Sequence, residues 1–331
     1  MSETVSEFDP DDPHWTYDEM ALFGENRAEY SIPEAPAVVA RERYELAGGG
    51  WLSGLRWGSG DVELVLVHGG AQNAHTWDTV VLALGQPSTL ALDLPGHGHS
   101  SRRNDGAYHP RFSAEAVAEV LAVAAPNAQV VVGMSLGGLT VNSLAAAHPG
   151  LVRRLVVIDV TPGVDRDKAK EVVDFIAGPQ SFPSFTEILE RTVLFNPTRS
   201  ASSLRRGILH NAHRLADGTW EWNYDRRQLS GLEAGVESGI ESGVESGVEA
   251  GVEAGVEAVL TGSLWDDVSA STCPYLLLRG ALSPVTDDAD VAELLRRRPD
   301  ARVEVIADAG HSIQGDQPLV LAGILRTELS A

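Results

Sequence analysis

Short apolar runs alternate with amphipathic segments along much of the chain, and this alternation indicates the fold class. Four runs rich in Val, Leu and Ile occupy residues 63–67, 89–92, 129–132 and 155–158. Runs that are apolar on both faces are typical of strands buried within a parallel sheet. The segments between them, at 76–84, 113–124 and 139–147, have the spacing of amphipathic helices. The sequence therefore predicts an α/β protein with a parallel sheet.

The alternation begins after an N-terminal lead-in and is interrupted once. Residues 1–38 are rich in Asp, Glu and Pro and predict an extended segment that docks on the body of the protein. A strand pair with a glycine turn is predicted within residues 41–57. Residues 163–262 are helical in character, rich in aromatic residues and without a clear strand pattern. We therefore predict a core formed by residues 39–162 and 263–331, which this helical insertion splits.

A repeat lies inside the insertion. Residues 231–258 consist of seven tetrapeptides in register, of the type GVEA or GVES. Glycine at every fourth position costs a helix roughly 1 kcal/mol each time relative to alanine. A period of four also drifts by ~40° per repeat around a helix, so no fixed apolar stripe forms. We interpret the repeat as a tolerated acidic surface excursion rather than a binding element, with a weak, solvated helix as the alternative.

The charge of the chain narrows the classes of partner. Its 331 residues include 47 acidic and 25 basic side chains, a formal net charge of −22 at pH 7. Such a surface repels phosphate backbones and anionic lipid, so we expect neither nucleic acid nor membrane as a partner. The N-terminal stretch lacks the features of a secretory signal, and Cys273 is the single cysteine, which fits a cytoplasmic location. The oligomeric state is left open between monomer and homodimer.

A glycine-rich motif around Ser135 carries the strongest chemical signal. The stretch Gly133-Met134-Ser135-Leu136-Gly137 follows an apolar run and precedes a helical segment. G-x-S-x-G between a strand and a helix describes a sharp turn that exposes a nucleophilic serine. The helix N-terminus that follows favours developing negative charge. We therefore predict that Ser135 is a nucleophile.

Two more glycine-rich turns follow predicted strands. In His68-Gly69-Gly70-Ala71 the glycines let backbone N–H groups point into a site. We predict an oxyanion hole formed by the N–H of Leu136 with that of Gly70 or Ala71, and a structural role for His68. Residues 93–100 (DLPGHGHS) combine an aspartate with two histidines, but their glycines and proline describe a tight turn. We therefore predict a turn scaffold there and no metal site.

The stretch Ala309-Gly310-His311-Ser312 follows the last predicted strand. A histidine on such a loop can reach back over the sheet edge to Ser135, where its neutral imidazole would accept the hydroxyl proton. Serine before histidine is also the chain order of this type of triad. We therefore predict that His311 is the general base.

Four motifs in order, HGG, DLPGHGHS, GMSLGG and AGHSIQGDQP, make the chain resemble the α/β-hydrolase fold family with a helical cap. The resemblance covers roughly residues 40–162 and 263–331. It implies a mainly parallel sheet of eight strands, with the insertion at 163–262 acting as a lid over the site. It also implies no metal and no organic cofactor.

The sequence offers more than one candidate for the acidic residue that orients His311. In the family that the chain resembles, this acid usually stands shortly after the strand PYLLLRG, where the present chain has Ser283. Relatives also place the acid at the end of the preceding core strand, which here carries Asp159. We predict Asp159, with Asp287 or Asp288 as one alternative and a dyad with a weaker orienting group such as Ser283 as another.

Aromatic residues of the insertion and residues near the motifs predict a moderately apolar pocket for a small-molecule substrate. We expect Met134, Trp77, Trp220 and Phe182 to contact this substrate, and most other aromatic residues of the insertion to pack in its core.

Together, these features favour hydrolysis of a carboxylic ester or lactone through an acyl-Ser135 intermediate. Two enzymatic alternatives use the same residues in resembling families: hydrolysis of a C–C bond in a vinylogous diketone, and perhydrolysis without a cofactor. Epoxide hydrolysis and dehalogenation are disfavoured, since relatives with those activities carry aspartate in place of Ser135. A non-catalytic small-molecule-binding protein on the same scaffold is the alternative outside the enzymes.

Overall fold

The computed structural model of the protein describes residues 10–12, 14–106, 108–227 and 264–331. The strands are β1 (Val39–Glu45), β2 (Trp51–Trp57), β3 (Leu64–Val67), β4 (Thr89–Leu92), β5 (Val130–Met134), β6 (Leu155–Ile158), β7 (Ser181–Phe182), β8 (Ala212–Arg214), β9 (Trp220–Trp222), β10 (Tyr275–Gly280) and β11 (Arg302–Ile306). The helices are α1 (Phe23–Tyr30), α2 (Asp78–Leu84), α3 (Pro110–Ala124), α4 (Leu136–Ala147), α5 (Arg166–Ile176), α6 (Phe185–Phe195), α7 (Ala201–Asn211), α8 (Trp265–Ala270), α9 (Asp288–Arg297), α10 (Ile313–Asp316) and α11 (Pro318–Ser330). In these ranges, no helix has both the length and the apolar character that crossing a bilayer requires. The repeat at 231–258 lies outside the described residues.

Eight strands form one sheet in the order β1-β2-β4-β3-β5-β6-β10-β11. Strand β2 runs antiparallel to both of its neighbours, and the pairs from β4 to β11 are parallel. Every residue of β3, β4, β5 and β6 is buried, which explains why these runs are almost entirely apolar. The prediction of a mainly parallel, eight-stranded α/β sheet is therefore confirmed.

Helices cover both faces of the sheet. Alternate strand residues contribute to two separate apolar clusters, because successive side chains of a strand point to opposite faces. Helices α3, α4 and α8 pack on one face, and α2 and α11 pack on the other. The sheet is thus held rigidly between two layers, and the loops at the carboxyl ends of its parallel strands are free to carry a site.

The N-terminal segment differs from the extended lead-in that its composition predicts, because it contains helix α1. This helix docks on α7: the guanidinium of Arg206 pairs with Glu29 and donates to Asn26 Oδ1 over 2.8 Å, and Arg205 pairs with Glu25. Arg206 is almost fully buried. These charge-assisted contacts order a segment whose composition alone indicates little structure.

Over its described residues, 163–227, the insertion forms a cap with helices α5 to α7 and a small antiparallel sheet in the order β7-β9-β8. The sequence did not indicate this sheet, because strands of two or three residues are too short for a detectable alternation. An aromatic core containing Phe182, Phe185, Trp220 and Trp222 holds the cap together. The helical character of the insertion agrees with the prediction over its described part.

Candidate active site

Ser135 occupies the tight turn between β5 and α4, with φ 51° and ψ −119°. This backbone conformation is strained for a residue other than glycine. The neighbouring segments approach too closely for larger residues: a Cβ atom at Gly133 would collide with the Gly137 carbonyl oxygen, and one at Gly137 would collide with the Val67 carbonyl oxygen. The turn therefore needs both glycines of the motif, and it places Ser135 in the wall of a cavity beneath the cap.

Three side chains from distant parts of the chain meet at this turn. His311, on the loop between β11 and α10, has its Nε2 atom 3.0 Å from Ser135 Oγ. Its Nδ1 atom lies 2.8 Å from Oδ2 of Asp159, which follows β6 and is fully buried. The chain of contacts from hydroxyl to imidazole to carboxylate has the geometry of a serine–histidine–aspartate triad.

The Asp159 carboxylate has two other donors besides His311. The backbone N–H of Gly280 donates to Oδ1 over 2.9 Å, and the hydroxyl of Ser283 donates to Oδ2. A buried carboxylate that accepts several hydrogen bonds is held in one orientation. Ser283 therefore contacts the acid rather than replacing it.

The two alternative acids are engaged elsewhere. Asp287 caps α9, where its carboxylate accepts from the Asp290 N–H over 2.9 Å, and it also lies 3.0 Å from Lys168 Nζ. Asp288, in the first turn of α9, pairs with Arg279. The structure thus brings together Ser135, His311 and Asp159 and assigns helix-capping and surface contacts to the other two carboxylates.

The predicted oxyanion donors lie next to the serine, but they are not equivalent. Leu136 is the first residue of α4, and Gly70 and Ala71 belong to the loop after β3 that lines the same cavity. The N–H of Ala71 donates to His97 Nε2 over 3.1 Å. Burial and the neighbouring His68 lower the pKa of His97 to about 3, so its imidazole stays neutral and can accept this bond. Gly70 is therefore the candidate to act together with Leu136.

Two residues of the glycine-rich turns hold the oxyanion loop in place. His68 Nε2 accepts from the Leu94 N–H over 2.9 Å, and burial lowers the pKa of His68, which keeps its imidazole neutral. The carboxylate of Asp93 accepts from the Ala74 N–H over 2.7 Å. These contacts agree with a structural role for His68 and a scaffold role for the 93–100 turn. Sequence reasoning did not foresee the bond from His97 to Ala71.

The cavity beside Ser135 lies between the sheet edge and the cap. Its apolar wall includes Met134, Val172, Phe175, Ile176, Phe195 and Val285. Polar groups from Gln72, Lys168, Asn196 and Asp316 also line it. The cavity thus combines a largely apolar wall with a few placed polar groups, as is typical of sites for small organic ligands.

Of the four predicted substrate contacts, Met134 lines this cavity, and the other three side chains lie elsewhere. Trp77 is fully buried in the core that contains β3 and β5, and Trp220 and Phe182 are buried in the aromatic core of the cap. This placement corrects the expectation for these three residues. Large aromatic side chains release much free energy when they pack completely, and these three side chains are packed in the two cores.

Asp316 is a residue of this region that the sequence did not single out. Its Oδ2 accepts from the N–H of Gly310 over 2.7 Å and from the hydroxyl of Thr198 in the cap over 3.0 Å. Burial raises the pKa of its carboxyl group. Because Gly310 precedes His311, Asp316 connects the histidine loop to the cap. The signal available in the sequence was its place at the end of the AGHSIQGDQP motif.

Residues with metal-ligand chemistry also cluster outside the triad. In the described part of the chain, His75, Asp78 and His210 offer ligand atoms that all lie within 4.8 Å of one another. They line a second cavity, which shares Gln72 and Phe175 with the first.

The mainly parallel eight-stranded sheet, the serine turn after β5 and the cap over the site are the features of α/β hydrolases. A family model described as "Alpha/beta hydrolase family" matches residues 64–324, and the chain belongs to this family.

Several relatives resemble the chain along most of its length. Esterase Rv0045c of Mycobacterium tuberculosis is 41% identical over 327 residues, which cover 96% of this chain and 97% of that protein. A solved structure of that esterase, from a study of its inhibition by transition metals, has a TM-score of 0.78 and 40% identity, and covers 95% of this chain and 99% of its own. A pimeloyl-[acyl-carrier protein] methyl ester esterase of Aeromonas hydrophila is 28% identical over 267 residues, which cover 78% of this chain and 91% of that protein.

Proposed function

We propose that the protein is a serine esterase that hydrolyses carboxylic esters of small, moderately apolar molecules through an acyl-Ser135 intermediate. The observation that carries the proposal is the continuous contact from Ser135 Oγ through the imidazole of His311 to Asp159. The relative with 41% identity over nearly the whole chain is named an esterase, which supports the same reaction class.

The chemistry follows from the placement of these groups. His311 Nε2 accepts the Ser135 proton as Oγ forms a bond to the ester carbonyl carbon, while Asp159 stabilises the imidazolium through Nδ1–H. The N–H groups of Leu136 and Gly70 donate to the resulting oxyanion, a contribution typically of ~3–4 kcal/mol for each donor. The ester C–O bond then breaks, and His311 gives its proton to the departing alcohol.

Deacylation repeats these steps with water. His311 Nε2 takes a proton from a water molecule as the water oxygen attacks the acyl carbon, and the proton then passes to Ser135 Oγ as the carboxylic acid leaves. No step requires a metal or an organic cofactor, so we propose a cofactor-free reaction.

The wall of the cavity supports a preference for apolar groups. Phe175, Phe195 and Val172 come from cap helices and face the space above Ser135, together with Met134 from β5. Burial of each further CH₂ group of a substrate in such a wall contributes about 0.8 kcal/mol. We also propose a cytoplasmic location, which the single, buried Cys273 supports.

A panel of p-nitrophenyl esters of increasing acyl length tests the proposal, with a meta-cleavage diketone run beside it. We expect ester turnover that rises with acyl length up to the size of the cavity, and its loss in Ser135→Ala. Fluorophosphonate should label wild-type protein at Ser135 and leave Ser135→Ala unlabelled. Folded wild-type protein that neither turns over an ester nor takes the label would favour a binding protein, and turnover of the diketone alone would favour C–C hydrolysis.

A further inference from the structure

A second cluster of reactive side chains lies outside the triad, at the junction of three segments. His75 belongs to the 3₁₀ turn after the oxyanion loop, Asp78 begins α2, and His210 lies near the end of the cap helix α7. All three side chains are buried. The proposed esterase reaction uses none of them.

Two polar atoms of this cluster lack the partners that burial normally demands. Among the described residues, neither His210 Nε2 nor Asp78 Oδ1 has a hydrogen-bond partner. The nearest carboxylate oxygen to His210 Nε2 is Asp78 Oδ2, at 3.8 Å. Buried polar groups in native proteins almost always have a hydrogen-bond partner, so two unpartnered atoms at one place require a physical reason.

We propose that His75, Asp78 and His210 bind a divalent transition-metal cation such as Zn²⁺, through His75 Nδ1, the Asp78 carboxylate and His210 Nε2. A cation at this position gives both unpartnered atoms a ligand role. It replaces the contact of 2.8 Å between His75 Nδ1 and Asp78 Oδ2. The two imidazole rings are stacked with centroids 3.8 Å apart, so a rotation about their Cβ–Cγ bonds is needed to turn both nitrogens toward one ion.

The other nitrogen of each ring already has an oxygen partner. His75 Nε2 lies 3.0 Å from Glu19 Oε1, and His210 Nδ1 lies 2.5 Å from the Tyr17 hydroxyl. Histidines that bind metals almost always contact an oxygen through their second nitrogen, since this contact fixes the tautomer and orients the ring. The N-terminal segment therefore supplies the outer contacts that a histidine metal site requires.

The local charges also suit a dication. Asp78 belongs to the cluster, and Glu19 contacts its His75. Asp93 lies close by and pairs with Arg41, which is the one cation among these four residues. With neutral imidazoles, three carboxylates and one guanidinium leave two surplus negative charges. This surplus negative charge around the cluster favours a bound cation.

The donor set selects the class of metal. Two imidazole nitrogens and one carboxylate suit Zn²⁺, Cu²⁺ or Ni²⁺, whereas Mg²⁺ and Ca²⁺ prefer an all-oxygen environment. The second cavity, which these residues line, leaves space beside the cluster for a water ligand. A bound ion would join the cap to the core, because α7 supplies one ligand and the core supplies the other two.

Isothermal titration calorimetry of chelator-treated, tag-free protein with ZnCl₂ tests the site. We expect one tight site for Zn²⁺ and none for MgCl₂ at the same concentration. Asp78→Asn and His210→Gln should each weaken Zn²⁺ binding at least tenfold. His213→Gln is the matched control, because it removes an exposed histidine three positions from His210 and should bind Zn²⁺ as the wild type does. Equal affinity in wild type and both site variants would overturn the proposal, as would the absence of Zn²⁺ binding.

A second measurement avoids dependence on the folding of the variants. Crystals of wild-type protein soaked in Zn²⁺ should show an anomalous difference peak at the zinc edge between the three side chains. A peak at His311 or at surface histidines alone would overturn the proposal. The result is independent of esterase activity, so the two proposals can fail separately.

Discussion

Replacement of Asp159 by asparagine tests the assignment of the acid most directly. The carboxylate accepts three hydrogen bonds, from Gly280 N–H, from the Ser283 hydroxyl and from His311 Nδ1–H. An asparagine side chain has one acceptor oxygen and one NH₂ group, so it cannot accept all three. If its oxygen stays with Gly280, its NH₂ group faces His311 Nδ1 and favours the tautomer that carries the proton on Nε2. That tautomer cannot accept the Ser135 proton.

The expected loss follows from this change of tautomer. For the Ser–His–Asp arrangement, an asparagine in place of the acid lowers kcat by about 10⁴-fold. This factor corresponds to about 5 kcal/mol of transition-state stabilisation. The measurement is kcat and KM with a p-nitrophenyl ester near neutral pH, together with circular dichroism to confirm that the variant folds. We expect kcat to fall and KM to change little, because Asp159 does not line the cavity.

Asp287→Asn is the matched control. It makes the same chemical change at an exposed carboxylate that caps α9, and turnover should stay within a factor of about two of the wild type, as for a surface substitution. A gain-of-function test places Ser283→Asp in an Asp159→Ala background. This variant supplies a carboxylate from the loop after β10, and it should recover part of the lost activity. A folded Asp159→Asn variant with more than a tenth of wild-type kcat would refute the assignment.

Three further substitutions examine the surroundings of the site. Ser283→Ala removes a donor to the buried Asp159 carboxylate, and we expect kcat to fall about tenfold, equivalent to ~1.4 kcal/mol, with Tm also lowered. His97→Ala leaves the Ala71 N–H without its acceptor, so the oxyanion loop should shift and kcat should fall by about tenfold while fluorophosphonate still reacts, only more slowly. Arg206→Ala removes a buried guanidinium that pairs with Glu29 and donates to Asn26, and urea denaturation should show a loss of about 2 kcal/mol in the free energy of unfolding.

Local patterns predicted much of the fold and the centre of the site. The strands β3 to β6 were evident because each is buried at every residue, and the serine turn was evident because its glycines are required by close backbone contacts. His311 could be predicted because a loop after the last strand ends at the same sheet edge as Ser135. In each case, the structural requirement acts on a few consecutive residues.

Features that depend on packing between distant segments were less predictable. Aromatic side chains such as Trp77, Trp220 and Phe182 are common in binding pockets. Whether such a side chain faces a cavity or a core depends on the neighbours that the fold supplies. The cluster of His75 and His210 is likewise invisible in the sequence, because these two rings stack across 135 positions of the chain.

The position of the acid shows why motif spacing alone left a choice between residues. Strands β6 and β10 are parallel neighbours in register, with Ile158 opposite Leu278, so both end at the same edge of the sheet. A carboxylate placed just after either strand can therefore reach the Nδ1 atom of one histidine. Here the carboxylate directly follows β6, and Ser283, on the loop after β10, donates its hydroxyl proton to it. The fold thus fixes the location that a carboxylate must occupy and allows either strand to supply it.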